Sequence, residues 1–176
     1  MSIIFNRVWA MPSKDTFTIK PIEELIHRYV GNGVGWLDPF AGNNSPAEIT
    51  NDLNPEKPTM YHLEAKEFIK QLVHSVYNGL LFDPPYSVRQ IKECYEGIGL
   101  TVFQEDTQMS WYSKIKDLSA PKIKVGGYVI SFGWNSNGFG INRGFEIIEI
   151  LIVAHGGHKN DTIVTVERKT QGELNL

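Results

Sequence analysis

The run NGLLFDPPYSV, Asn78 to Val88, limits the possible folds more than any other stretch of this 176-residue chain. Gly79 to Phe82 read as a buried strand, and Asp83 then precedes two prolines. Proline lacks an amide hydrogen and has a fixed φ, so a pair of them ends a helix and removes two donors from a strand ladder. The strand must leave its sheet immediately after Phe82, with Asp83 and Tyr86 on either side of a stiff corner.

Upstream of that corner, short apolar runs alternate with stretches of helical spacing. Ile22, Leu25, Ile26 and Tyr29 follow Pro21 at helical intervals, and proline suits a first helical turn. VGWLDPF predicts a short strand ending at Asp38, EITND a second ending at Asp52, and TMYHL a third ending near Leu63. EAKEFIKQLVHSVY places Ala65, Phe68, Ile69, Leu72, Val73 and Val76 along one helical face. Downstream, Ser87 to Thr107 is mixed, MSWYSKIKDL predicts a helix and VGGYVISFGW a strand. FEIIEILIVAH and DTIVTVER predict a final pair joined by a polar turn. This order predicts an α/β fold with a mostly parallel sheet and an antiparallel edge hairpin, built as a single domain over residues 1–176.

Composition narrows the function. The apolar share of 41% and charged share of 21% are those of an ordinary globular chain, and a net charge of −3 gives no global field for nucleic acid or an anionic membrane. The longest apolar stretch, Ile147 to Ala154, is too short to span a bilayer and contains Glu149. No membrane partner is expected, and a cytoplasmic location follows by default. Cys94 is the only cysteine, so no internal disulfide or thiolate metal cluster can form. His155 and His158 in HGGH have no evident third ligand and read as loop residues; no metal is expected.

In open parallel sheets, ligands sit outside the carboxyl ends of the strands. Asp38, Asp52, Glu64 and Asp83 all fall at or just past such ends. Each alone is explained by the preference of acids for strand-to-loop corners, where they bond local amides. The tetrapeptide DPPY is harder to dismiss, since it arises by chance on the order of once in a thousand chains of this length at average composition.

LDPFAG, NDLNP and LLFDPPYS, with FTIKPIEELI ahead of them, resemble the S-adenosylmethionine-dependent amino-group methyltransferases of DNA in the arrangement where the cofactor half precedes the catalytic motif. FGWNSNG and HGGHKNDTIVTVER resemble the short adenine methylases carried by bacteriophages. The resemblance spans roughly Phe17 to Lys169, and DPPY is its most specific part. It implies a Rossmann-like class I methyltransferase fold and methyl transfer from S-adenosylmethionine to adenine N6 in DNA, in a bacterial or phage-infected cell. It also implies a catalytic set of Asp83, Pro84, Pro85 and Tyr86. The Asp83 carboxylate and the Pro84 carbonyl, aimed by Pro85, would accept both N–H groups of the amine. Tyr86 would offer a flat face to an adenine swung out of its stack.

On the cofactor side, the resemblance implies that Asp38, Pro39, Phe40, Ala41 and Gly42 bend around the methionine part, with Asp38 facing the ammonium and Phe40 on the adenine side. Asp52 would bond the ribose hydroxyls, Glu64 would accept from the exocyclic amine, and Lys20 and Pro21 would close the pocket. Asp83 borders this site too.

Two departures matter. Asn43 and Asn44 follow Gly42 where the family has another glycine, and asparagine tolerates positive φ well enough to keep the turn. Only thirteen residues separate Asp38 from Asp52, too few for a crossover helix and a strand, so an irregular loop is expected there.

For DNA contact, the candidates are Arg89 and Lys92 in the Ser87–Ser110 insertion, the loop Trp134–Gly140, and Lys114, Lys116, Lys122 and Lys124. These four lysines could neutralise phosphates, but the reading preferred for them is a solvated helix face. A symmetric homodimer would add DNA surface, though no residue pattern demands one. The same chemistry on cytosine N4, an RNA base or a protein glutamine, or cofactor binding without catalysis, are the alternatives.

Overall fold

The computed structural model describes residues 2–99, 109–157 and 159–171, leaving aside the side chains of Val88 and Met109. The 100–108 part of the expected insertion and His158 lie outside the described residues. Seven strands form one mixed sheet, in chain order β1 (Ile4–Trp9), β2 (Trp36–Asp38), β3 (Ile49–Thr50), β4 (Tyr77–Phe82), β5 (Ile123–Gly133), β6 (Phe145–Ala154) and β7 (Thr162–Lys169). Across the sheet they run β1-β6-β7-β5-β4-β2-β3. Only β7 is antiparallel to its neighbours. The expected α/β sheet is present, with one difference: β1 pairs in parallel outside β6, so the hairpin sits one strand in from the edge.

Helix α1 (Lys20–Val30) opens with Pro21 in its first turn and buries Ile22, Leu25, Ile26 and Val30 against one sheet face. Leu81, Ile130, Phe132 and Val164 meet it from β4, β5 and β7. Each such side chain contributes about 2 kcal/mol of burial. On the opposite face, α2 (Ala65–Lys70) and α4 (Met109–Ser119) pack Phe68, Ile69, Trp111 and Ile115 on Leu37, Leu80, Phe82 and Val129. A further helix, α3 (Val88–Glu96), starts at Ser87, whose hydroxyl accepts from the Gln90 amide at 3.2 Å.

Three expectations are corrected. TMYHL is not a strand but a single parallel bridge, Asn51 to Tyr61. The predicted long helix from Glu64 stops at Lys70. Beyond it Val73 and Val76 stand exposed, at 62% and 53%, because nothing covers that part of the apolar stripe. The chain instead reverses at Ser75, with φ at 57°, and its amide bonds Pro121 O at 2.8 Å. Finally, two of the four lysines placed together on a surface are internal. Lys122 donates to Leu72 O at 2.7 Å, and Lys116 donates to Gly138 O.

No described helix is long and apolar enough to cross a membrane. Among the described residues, no group of three metal-ligand side chains comes together.

Candidate active site at the carboxyl ends of the central strands

The expected loop between β2 and β3 is irregular, as its length requires, and side chains hold it. Asp38, wholly buried, accepts from Phe40 N at 2.9 Å and from Ser45 Oγ at 2.6 Å. Asp52 reaches back to Gly42 N at 3.0 Å and on to Asn54 N at 2.8 Å. Gly42 takes a φ of +57°, with Asn43 and Asn44 continuing the turn. Asn51, absent from the sequence-based set, joins three segments: its amide donates to Pro39 O and Leu63 O at 3.1 and 3.0 Å and accepts from Leu63 N at 2.9 Å.

These turns enclose a cleft of about 680 Å³, counting its open mouth. Pro39, Phe40, Leu63, Ile91 and Trp111 give it apolar walls, and Asp52, Glu64 and Asp83 stand at its polar edge. Glu64 caps α2 through Lys66 N at 2.8 Å and accepts the Tyr95 hydroxyl at 3.1 Å. The indole Nε1 of Trp111 is buried with no hydrogen-bond partner among the described residues.

The predicted residues do not all converge. Asp52, Glu64, Phe40, Pro39 and Asp83 share the cleft, while Ala41 and Gly42 border an adjoining hollow with Asp83. Asp38 lines none of these cavities, and both its oxygens hold the loop. Lys20 and Pro21 also line none of them; they start α1. The residues that reach the site from this segment are Thr16 and Phe17, one turn earlier.

Asp83 follows β4 at the junction of the cavities. Removal from water raises its pKa to about 6, against the hydroxyls of Tyr86 and Thr16, which hydrogen-bond the carboxylate and lower it. Burial and the neighbouring Asp83 push the Tyr86 phenol far above its ordinary range, so it stays protonated as a donor. Asp38 is raised to about 8, first by burial and further by the charges of Asp83 and Asp52. With Asp38 held neutral by burial, Asp52 and Asp83 are the acids that line these cavities and favour a cation there.

Beyond the corner, a second cavity of about 720 Å³ lies between α4 and the end of β5. Pro84, Tyr86, Tyr112 and Trp134 form its sides, with the Tyr86 and Trp134 rings edge-to-face at 5.6 Å. Tyr112 donates to Pro85 O and so braces the corner. Among the described residues nothing donates to the Pro84 carbonyl. The 134–140 loop over this cavity is pinned from below: Glu167, buried in β7, accepts from Phe139 N at 2.6 Å and Gly140 N at 2.8 Å. A side chain at Gly138 would place its first carbon 2.3 Å from that carboxylate, and its φ is +51°.

No protein-family model matches the chain, and no curated protein matches it. Solved structures do match in fold. The 1,6-didemethyltoxoflavin-N1-methyltransferase of Burkholderia thailandensis, solved with 1,6-didemethyltoxoflavin and S-adenosylhomocysteine, aligns with a TM-score of 0.58 at 12% identity over 86% of this chain and 78% of its own. TrmN from Thermus thermophilus gives 0.56 at 15% identity over 86%, with this chain spanning 49% of its length. N-methyltransferase NodS from Bradyrhizobium japonicum gives 0.56 at 7% identity over 86% and 96%. The fold is that of the Rossmann-like class I methyltransferases.

Proposed function

We propose that the protein transfers a methyl group from S-adenosylmethionine to the exocyclic N6 amine of adenine in DNA. One observation carries this reading: a single dipeptide, Asp83–Pro84, separates the two cavities, with Asp83 in the wall of one and Pro84 in the wall of the other. A donor and an acceptor placed on its two sides would meet there.

The cleft residues fit this cofactor. Its cationic sulfur carries the methyl group as an electrophile. Asp52 retains lone pairs for the ribose hydroxyls beside its two backbone bonds. Glu64 is placed to accept from the exocyclic amine of the adenine part, and the unpartnered Trp111 Nε1 offers a donor to one of its ring nitrogens. Phe40 and Leu63 supply flat apolar walls.

On the acceptor side, the chain's task is to make a reluctant nitrogen nucleophilic, because the amine's lone pair is delocalised into its ring. The Asp83 carboxylate accepts one N–H and the open Pro84 carbonyl the other, which draws the lone pair out of conjugation. Tyr86 and Thr16 hold Asp83 ionised and oriented, and Tyr112 fixes the following carbonyl. Tyr86 and Trp134 provide the aromatic walls that an extruded base needs. The sulfur–methyl bond would break as the nitrogen–methyl bond forms, releasing S-adenosylhomocysteine, and the cationic methylated amine would pass one N–H proton to the Asp83 carboxylate and on to solvent, so no covalent enzyme intermediate is required.

The test is transfer of a labelled methyl group to unmethylated DNA, followed by digestion to nucleosides. Label in N6-methyl-2′-deoxyadenosine is expected, reduced by about 10²-fold or more in Asp83→Ala. Label in another nucleoside, or full activity in Asp83→Ala, overturns the reading.

A further inference from the structure

The wall of the second cavity holds a hydroxyl that the fold leaves without a partner, and a second lies behind it. Ser131, on β5, is 8% exposed and lines the cavity; its Oγ is buried and has no hydrogen-bond partner among the described residues. Thr165, fully buried on β7, has the same deficit. The two residues are direct partners in the antiparallel β5–β7 ladder, so both hydroxyls project from one sheet face. A buried hydroxyl without a partner costs about 1–3 kcal/mol. Ser131, which lines the cavity while the other buried polar side chains among the described residues are mostly bonded, points to a ligand there.

Lys116 supplies the charge. It reaches from α4 into the same cavity, half-buried, with its ammonium 5.7 Å from the centre of the Phe82 ring and 5.8 Å from that of Phe139. One of its three protons goes to Gly138 O, which leaves two for other acceptors. Burial lowers its pKa, and the charge of Glu167 opposes that shift.

We propose that Ser131 and Lys116 determine acceptor specificity by donating to ring nitrogens of a purine seated in the cavity that Tyr86 and Trp134 wall. This rests on the acceptor reading above and adds residues outside the DPPY corner. The cavity walls combine aromatic rings with these donors, so a planar heterocycle with in-ring acceptors suits it, whereas a flexible amide side chain has no ring for the walls. Of the ring nitrogens, N1 and N7 flank the N6 amine that Asp83 and Pro84 hold.

The experiment uses single-stranded oligonucleotides carrying one adenine, 1-deazaadenine or 7-deazaadenine, titrated into the full chain with saturating S-adenosylhomocysteine. Wild type is expected to bind the adenine strand about tenfold more tightly than at least one deaza strand. Ser131→Ala and Lys116→Met are expected to lose that preference while keeping cooperative thermal unfolding. A purely structural role would weaken all three strands equally and preserve the preference. That outcome, or equal binding of all three by wild type, overturns the inference. Should Lys116→Met fail to fold, Ser131→Ala decides alone. Discrimination without methyl transfer would keep the inference and sink the transfer reading; transfer with no role for these residues would do the opposite.

Discussion

The two halves of the sheet are built differently, although they border one site. On the side of the second cavity, β5, β6 and β7 run 11, 10 and 8 residues, with one register shift in the β6–β7 ladder at Ile147/Glu149. On the side of the first cleft, β2 and β3 have 3 and 2 residues, and the next strand is a lone bridge. There the work of a ladder passes to side chains: Asp38, Asn51 and Asp52 bond backbone groups that a longer sheet would have paired. Compact chains can therefore shorten one half of such a sheet severely, provided that buried polar side chains replace the lost backbone bonds.

That contrast is best broken at Asn51. Asn51→Leu removes three hydrogen bonds and strands the groups they served, with an expected loss of about 4 kcal/mol in urea unfolding and of S-adenosylhomocysteine binding. A loss below about 1 kcal/mol would mean that the turns hold without it. On the ladder side, Gly138→Ala forces a methyl group onto Glu167 at a positive φ, at a cost of about 2–3 kcal/mol. Calorimetry should show this lower melting temperature while cofactor-product binding stays unchanged. Equal damage to both properties would show that the halves are not independent.

Smaller effects come from titration. Asp38 lies near 8 when folded and about 3.9 when unfolded. The folded chain thus holds a proton that the unfolded chain releases, so this contribution to stability is full below about pH 4 and declines as pH rises toward 8. The slope is at most about 1.4 kcal/mol per pH unit. Asp38→Asn should keep the turn and flatten that profile, as read from urea midpoints at several pH values. For Asp83, near 6, the carboxylate form is the acceptor, so transfer should fall as pH drops through 6. Tyr86→Phe removes a bond that lowers this pKa and should move the acid limb of the rate profile to higher pH; an unmoved limb would detach it from Asp83.

What could be read from residues alone was decided by burial. β4 and its proline stop, α1, β5 and the β6–β7 pair carry unambiguous apolar runs, and each forms where expected. The stripe past Lys70 has helical spacing too, but spacing cannot tell whether anything covers it, and Val73 and Val76 stay exposed. β1 gave no signal because all six of its side chains are exposed, and its backbone pairing with β6 makes it a strand. At the site, the acids after β3, the bridge and β4 gathered as their positions suggested. Asp38 turned inward because the short crossover needs its oxygens locally. Lys20 and Pro21 gave way to Thr16, since they form the first turn of α1 while Thr16, before it, lines the hollow beside Asp83. Lys116 and Glu167 were legible only as a charge on a helix and a charge within an apolar strand, and their roles need the loop that folds between them.

The outermost strand has a practical meaning for anyone trimming or tagging this chain. Residues 4–9 are zipped along β6, Ala10 continues the ladder to Ala154 at 3.1 Å, and His155 clips Ala10 O at 2.9 Å. Only six residues further on comes the hydroxyl that steadies Asp83. Deleting the first ten residues would cut the mooring of that hydroxyl, so a shortened version could fold around its core and still lose turnover.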